Sequence, residues 1–194
     1  MFPICDNRGR VTGFGARALD DGMPKYINTP STSIFEKRGI LYGLDLASGS
    51  IRHSNRGVIV EGYMDVIAAH QHGFSNVIAS MGTALTEQQV TLLRPLASSF
   101  VLALDPDMAG HEATLRSLES AWKVFLNPAT NLSRRSMGML YQRSGVSLEI
   151  AALPQGLDPF DVISKDPADW NRVISEAAPL LDFIIPAVIG RYDI

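Results

Sequence analysis

Val58-Ile59-Val60-Glu61-Gly62-Tyr63-Met64-Asp65 is the stretch on which the fold of this chain turns. Three β-branched apolar residues in succession suit a strand covered on both faces, because neither face is left polar. The run stops at an acid and a glycine, and a helical pattern over Met64–His72 follows. Downstream the unit recurs: Val77-Ile78-Ala79 precedes a helical pattern over Glu87–Leu96, and Phe100-Val101-Leu102-Ala103-Leu104 precedes one over Gly110–Leu126. A fourth strand is expected at Leu148–Leu153, after a polar stretch at 127–147. Short apolar runs alternating with helices predict βαβ units, hence an α/β fold with a mostly parallel sheet flanked by helices.

The flanks differ in character. Residues 10–19 alternate loosely like a strand and run into the turn signal Asp20-Asp21-Gly22. Residues 23–56, with Pro24, Pro30 and a Ser/Thr cluster, read as a loop-rich lobe holding one short helix around Ile34–Ala47. After Asp158 two helical patterns are expected, at Pro167–Ala178 and Leu180–Val188, the second interrupted by Pro186. Asp166 is placed to cap the first, with Pro167 at its opening position. The expected division is therefore 1–56, a partial basic N-terminal lobe; 57–155, the α/β domain; and 156–194, a C-terminal helical segment.

Composition narrows the function. The 194 residues are 46% hydrophobic, but charged residues interrupt every apolar stretch well before the roughly 20 residues a membrane helix needs. No signal-peptide pattern opens the chain, so a soluble, cytoplasmic protein is the expectation. Cys5 is the single cysteine, which excludes an internal disulfide and a multi-cysteine zinc site. The net charge of −3 speaks weakly against a nucleic-acid binder. Its distribution matters more: before residue 57, Arg8, Arg10, Arg17, Lys25, Lys37, Arg38, Arg52 and Arg56 outnumber Asp6, Asp20, Asp21, Glu36 and Asp45.

Three acids stand where strands end: Glu61 after the first, Asp105 and Asp107 after the third. Ligands of open α/β sheets bind at the carboxyl ends of the strands. Alternation lets Asp105 and Asp107 point the same way. Gathered carboxylates repel one another, so such a cluster persists most comfortably around a cation. Oxygen-only donors favour Mg²⁺, with Mn²⁺ as a substitute, over zinc. Gly62, Gly82 and Gly110 would let backbone approach a ligand. Asp65, one turn past Glu61, either joins this site or caps the helix starting there. For Asp107 alone a helix cap is the simpler reading; three acids at two strand ends favour a metal site.

For Arg8, Arg52 and Arg56 a solvated surface is the plain reading. Arg17, Lys25 and Lys37 share their lobe with Tyr26 and Asn28, a mixture suited to phosphates and bases. The histidines at 53, 70, 72 and 111 show no ligand-like spacing and read as structural or surface residues.

Glu61-Gly62-Tyr63-Met64-Asp65 and Asp105-Pro106-Asp107-Met108-Ala109-Gly110 resemble the two signatures of the Toprim fold, shared by primases, topoisomerases and some nucleases. Gly13-Phe14-Gly15, Pro24-Lys25-Tyr26-Ile27-Asn28-Thr29-Pro30, Phe35-Glu36-Lys37, Leu41-Tyr42-Gly43 and Ser80-Met81-Gly82-Thr83 narrow the resemblance to bacterial DnaG-type primases, over about residues 2 to 190. It implies a Rossmann-like Toprim domain and synthesis of RNA primers on single-stranded DNA by metal-dependent nucleotidyl transfer.

The resemblance further implies that Glu61, Asp105 and Asp107 bind metal and that Asp65 is a further acid of the site. Arg17, Lys25, Asn28 and Lys37 would handle template or nucleotide phosphates. Asp158 matches another acidic position, although Asp161 follows Phe160 where the family has Asp-Pro-Asp. The implied partners are single-stranded DNA, the RNA primer and ribonucleoside triphosphates. A replicative helicase and a single-strand-binding protein would act through domains expected outside this chain, and zinc would belong to one of those domains. Priming by this chain alone is expected to be weak or absent. A strand-cutting Toprim enzyme and a non-catalytic binding module are the competing readings; no tyrosine here is marked as a topoisomerase nucleophile.

Overall fold

The computed structural model describes residues 1–20, 23–82, 85–104, 146–180 and 182. Its centre is a five-stranded sheet built from β4 (Arg56–Val60), β5 (Val77–Ala79), β6 (Ser99–Leu104), β7 (Ser147–Ala152) and β8 (Ala178–Pro179), in the order β5-β4-β6-β7-β8. The first four are mutually parallel and β8 is antiparallel to β7. The expected parallel sheet is therefore present, with one antiparallel edge strand that the sequence did not signal.

Both faces of this sheet are covered, which accounts for strands without a polar face. Ile59, Ile78, Phe100, Leu102 and Ile150 point to one side. There they meet Leu44, Ala47 and Ile51 of α1 (Leu44–Ser54) and Val90 and Leu93 of α3 (Glu87–Leu93). Val58, Val60, Val101, Ala103 and Ala151 point to the other. They pack on Val66, Ala68 and Ala69 of α2 (Tyr63–Gln71), and on α4 (Pro159–Lys165) and α5 (Pro167–Ser175) through Val162, Ile163, Trp170 and Val173. Alternation along a strand divides each run between two cores. Asp166 caps α5 as expected, accepting from the Ala168 N–H, and Pro167 opens the helix.

The lobe ahead of the sheet is a second, antiparallel sheet, β1 (Phe2–Cys5), β2 (Val11–Arg17) and β3 (Tyr26–Asn28) in that order. Two expectations change here. The segment after Pro24 holds a strand, and no helix spans Ile34–Ala47. A single 3-10 turn occupies Lys37–Gly39, and the helix begins at Leu44. Gly43, at φ 78°, forms the break that separates the two.

The helix expected over Pro167–Ala178 ends at Ser175, because Ala178 precedes Pro179 and takes the extended backbone that pairs with Ile150. The patterns at Gly110–Leu126 and, apart from Leu180 and Asp182, Leu180–Val188 lie outside the described residues, as do Asp105 and Asp107. Among the described residues no helix is long and apolar enough to cross a membrane.

Candidate functional site

In the order β5-β4-β6-β7, the chain leaves β4 toward one edge and β6 toward the other, so the sheet reverses direction between them. A crevice opens at the carboxyl ends of strands on either side of such a reversal. A cleft of about 200 Å³ lies there, lined by Tyr26, Glu61, Gly62, Met64, Asp65, Ala103, Asp158 and Pro159. Glu61 directly follows β4, Asp65 sits in the first turn of α2, and Asp158 is the N-cap of α4. Two acids of one motif, Glu61 and Asp65, thus share an opening with the distant Asp158, with no basic side chain among the lining residues.

Their environments differ. Asp158 is exposed, and its Oδ1 accepts the Asp161 N–H at 2.8 Å. Glu61 is half-buried, and its carbonyl accepts the Gly82 N–H at 3.1 Å, binding the Ser80-Met81-Gly82 loop to the cleft. Asp65 is 7% exposed. Burial pushes its carboxyl up to about 6, with smaller pushes from Asp158 and Glu61; backbone N–H bonds from Gly62 and Phe160 act against the rise. Oδ2 accepts from Gly62 at 2.9 Å and Oδ1 from Phe160 at 3.2 Å. A Cβ on Gly62 would stand 3.1 Å from Asp65 Oδ2, so the glycine makes room for this carboxylate. Asp65 thus caps its own helix and also lines the cleft.

Among the described residues no three acidic, histidine or cysteine side chains already stand close enough to enclose an ion. The donor chemistry nevertheless fits one: three carboxylates at one opening, one of them held partly against ionisation by burial and, less, by the other two acids, suit a hard divalent cation.

The basic lobe reaches this cleft through Tyr26, the first residue of β3. Arg17, at the end of β2, lies over the Tyr26 ring at 6.0 Å from its centroid. Lys25 is exposed just ahead of β3, its carbonyl bonded to the Ala18 N–H. Asn28 ends β3 and accepts from the Tyr63 hydroxyl. Lys37 lies apart, on the 3-10 turn; its carbonyl and that of Ile40, just after the turn, accept from Gln89 of α3. It is not among the residues lining the cleft.

Sequence reasoning passed over Tyr63. Its ring stacks on Phe2 at 5.6 Å, meets Tyr42 edge-on at 4.8 Å and stands 6.4 Å from Tyr26. Gly15 makes this possible, since a Cβ there would come within 2.8 Å of the ring. The alternating glycines of Gly13-Phe14-Gly15 were the available signal. Arg56 also departs from the surface role expected of it. It pairs with Glu149 at 2.6 Å and donates to the Ile174 carbonyl at 2.9 Å, joining β4 to β7 and the end of α5.

Comparison with known proteins concerns the family and the fold. The Toprim domain family matches residues 56–134, and the N-terminal domain of the DNA primase catalytic core matches residues 1–48. The DNA primase of Clostridium acetobutylicum is 39% identical over 189 residues, covering 95% of this chain and 28% of that protein. The DNA primase of Escherichia coli K12 is 36% identical over 195 residues, covering the whole chain and 31% of that protein. The chain belongs to the DnaG-type DNA primase family.

It spans less than a third of the length of these primases. Among solved structures, the E. coli primase catalytic core superposes with a TM-score of 0.77 at 34% identity, over 98% of this chain and 56% of that one. A DnaG primase catalytic domain bound to single-stranded DNA gives 0.77 and 34%, over 98% and 55%. The Aquifex aeolicus primase, solved with its zinc-binding and RNA polymerase domains, gives 0.75 and 31%, over 98% and 43%. The strand-ending acids thus lie within a DnaG-type primase Toprim region.

Proposed function

We propose that this chain carries the nucleotidyl-transfer centre of a primase, where an RNA primer is extended on single-stranded DNA. The observation that carries this reading is the acidic cleft at the sheet's reversal point, opened toward Tyr26 and Arg17 of the N-terminal lobe. Glu61, Asp105, Asp107 and Asp158 would hold Mg²⁺, or Mn²⁺ in its place. A bound divalent ion supplies orientation of the triphosphate, charge stabilisation at the leaving pyrophosphate and a more acidic attacking hydroxyl.

The residues of the chain do the rest by position. Arg17, Lys25, Asn28 and Lys37 bind phosphates of the template and the ribonucleoside triphosphate, and Tyr26 walls the cleft between the lobe and the acids. A primer 3′-hydroxyl attacks the α-phosphate, and no protein nucleophile is required. Residues 1–56, 57–155 and 156–194 act as lobe, Toprim domain and helical segment. The helicase and the single-strand-binding protein belong to the whole primase.

Formation of a labelled dinucleotide from ribonucleoside triphosphates on single-stranded DNA with Mn²⁺ tests this. A product that disappears in Glu61→Gln supports polymerisation. Relaxation or nicking of supercoiled DNA under the same conditions, without a dinucleotide, would favour a strand-cutting Toprim enzyme.

A further inference from the structure

The Asp65 carboxylate has one oxygen on each side of the cleft. Oδ2 accepts the N–H of Gly62, the residue after Glu61, and Oδ1 accepts the N–H of Phe160, two residues after Asp158. The Gly62 contact is local, whereas the Phe160 contact crosses 95 positions of sequence. The side chain is buried at 7% exposure and lies on the first turn of a helix packed on the sheet, so its arm is short and fixed. Rotating or removing the carboxylate would strand these two amides, and an unpaired buried amide is costly.

We infer that Asp65 is a positioning residue: it clamps the backbone segments bearing Glu61 and Asp158 and so sets their separation across the cleft. The inference rests on the metal-site reading proposed above. Partners that orient first-coordination ligands are worth about 10–100-fold in metal affinity. A ligand behaves differently, because its loss removes an ion or its coordination outright.

The test is Mn²⁺ titration of the whole chain by electron paramagnetic resonance, with amide hydrogen exchange at Gly62 and Phe160, for wild type, Asp65→Asn and Asp65→Glu. Asn offers only one acceptor, and Glu keeps the charge on an arm one methylene too long for both amides. Both variants should bind as many ions as wild type, with a dissociation constant raised about 10–100-fold and faster exchange at both amides. Retention of wild-type affinity by Asp65→Glu with both amides unprotected would overturn the clamp as a positioning device. So would loss of one ion in Asp65→Asn with exchange at the two amides unchanged. If the wild type binds no Mn²⁺, the metal reading itself falls, an outcome distinct from either.

Discussion

The Tyr63 hydroxyl donates to Oδ1 of Asn28, joining the first residue of α2 to the last residue of β3. Glu61 lies two positions before Tyr63, and Tyr26 of the same short strand walls the acidic cleft. The lobe is thus fixed to the sheet at the point where the acids stand. Ile4, Phe35 and Met81 bury the remainder of the Tyr63 ring.

Removing that hydroxyl in Tyr63→Phe leaves the ring packing intact and strands the Asn28 acceptor. The expected loss is about 1–2 kcal/mol, read as a lower midpoint in urea unfolding. Gly15→Val should cost more, about 1–3 kcal/mol or beyond, because its Cβ alone already meets the Tyr63 ring. A wild-type midpoint in Gly15→Val would show that the lobe does not rest on Tyr63.

Asp65 gives stability a pH dependence of definite sign. Its folded pKa, about 6, lies above the ordinary 3.8, so the folded state holds the proton more tightly than the unfolded chain. The associated stability is fully present below about pH 4 and lost as pH rises through 6. At about 1.4 kcal/mol per unit, the change is at most about 3 kcal/mol. Asp65→Asn should flatten the unfolding free energy between pH 4 and 7 in metal-free buffer. An unchanged slope would assign the dependence to other groups.

Arg56→Ala should destabilise by about 1–3 kcal/mol, since it removes the guanidinium donor from Glu149 Oε2 and from the Ile174 carbonyl. Arg56→Lys should recover only part of this, because the lysine ammonium sits on a shorter arm than the Nη2 that donates to both acceptors. Thermal unfolding of the two variants separates this from the near-neutral outcome of a solvated surface residue.

Trp170 is fully buried beside Phe74 and holds α5 on the sheet. Trp170→Ala should cost about 3–5 kcal/mol. A shift below 1 kcal/mol in urea denaturation would show that α5 contributes little to the core.

The central strands were legible because burial on both faces leaves an unbroken apolar run, as in Val58-Ile59-Val60. Glu61 was legible at the cleft because it directly follows the apolar run of β4. Other features depend on partners distant in sequence. Ala178-Pro179 is a strand only by pairing with β7, and α4 starts at Pro159 under the Asp158 cap in a stretch without helical periodicity. Tyr63 looked like part of a motif, and its hub role depends on Gly15, 48 residues upstream. Lys37 shares a charge pattern with Arg17 and Lys25, while its place on the 3-10 turn beside α3, outside the cleft lining, depends on bonds from Gln89. Linear proximity does not determine which face a loop presents.

The central claim is that the strand-ending acids form one divalent-cation site serving a nucleotide. Calorimetric titration of Mg²⁺ or Mn²⁺, with and without a ribonucleoside triphosphate, into wild type, Glu61→Gln and the Asp105→Ala/Asp107→Ala variant tests it most directly. The account predicts saturable binding by the wild type, strengthened by the nucleotide and lost or greatly weakened in both variants. Equal binding by all three, or none by the wild type, would contradict it and return these acids to helix caps and surface charge.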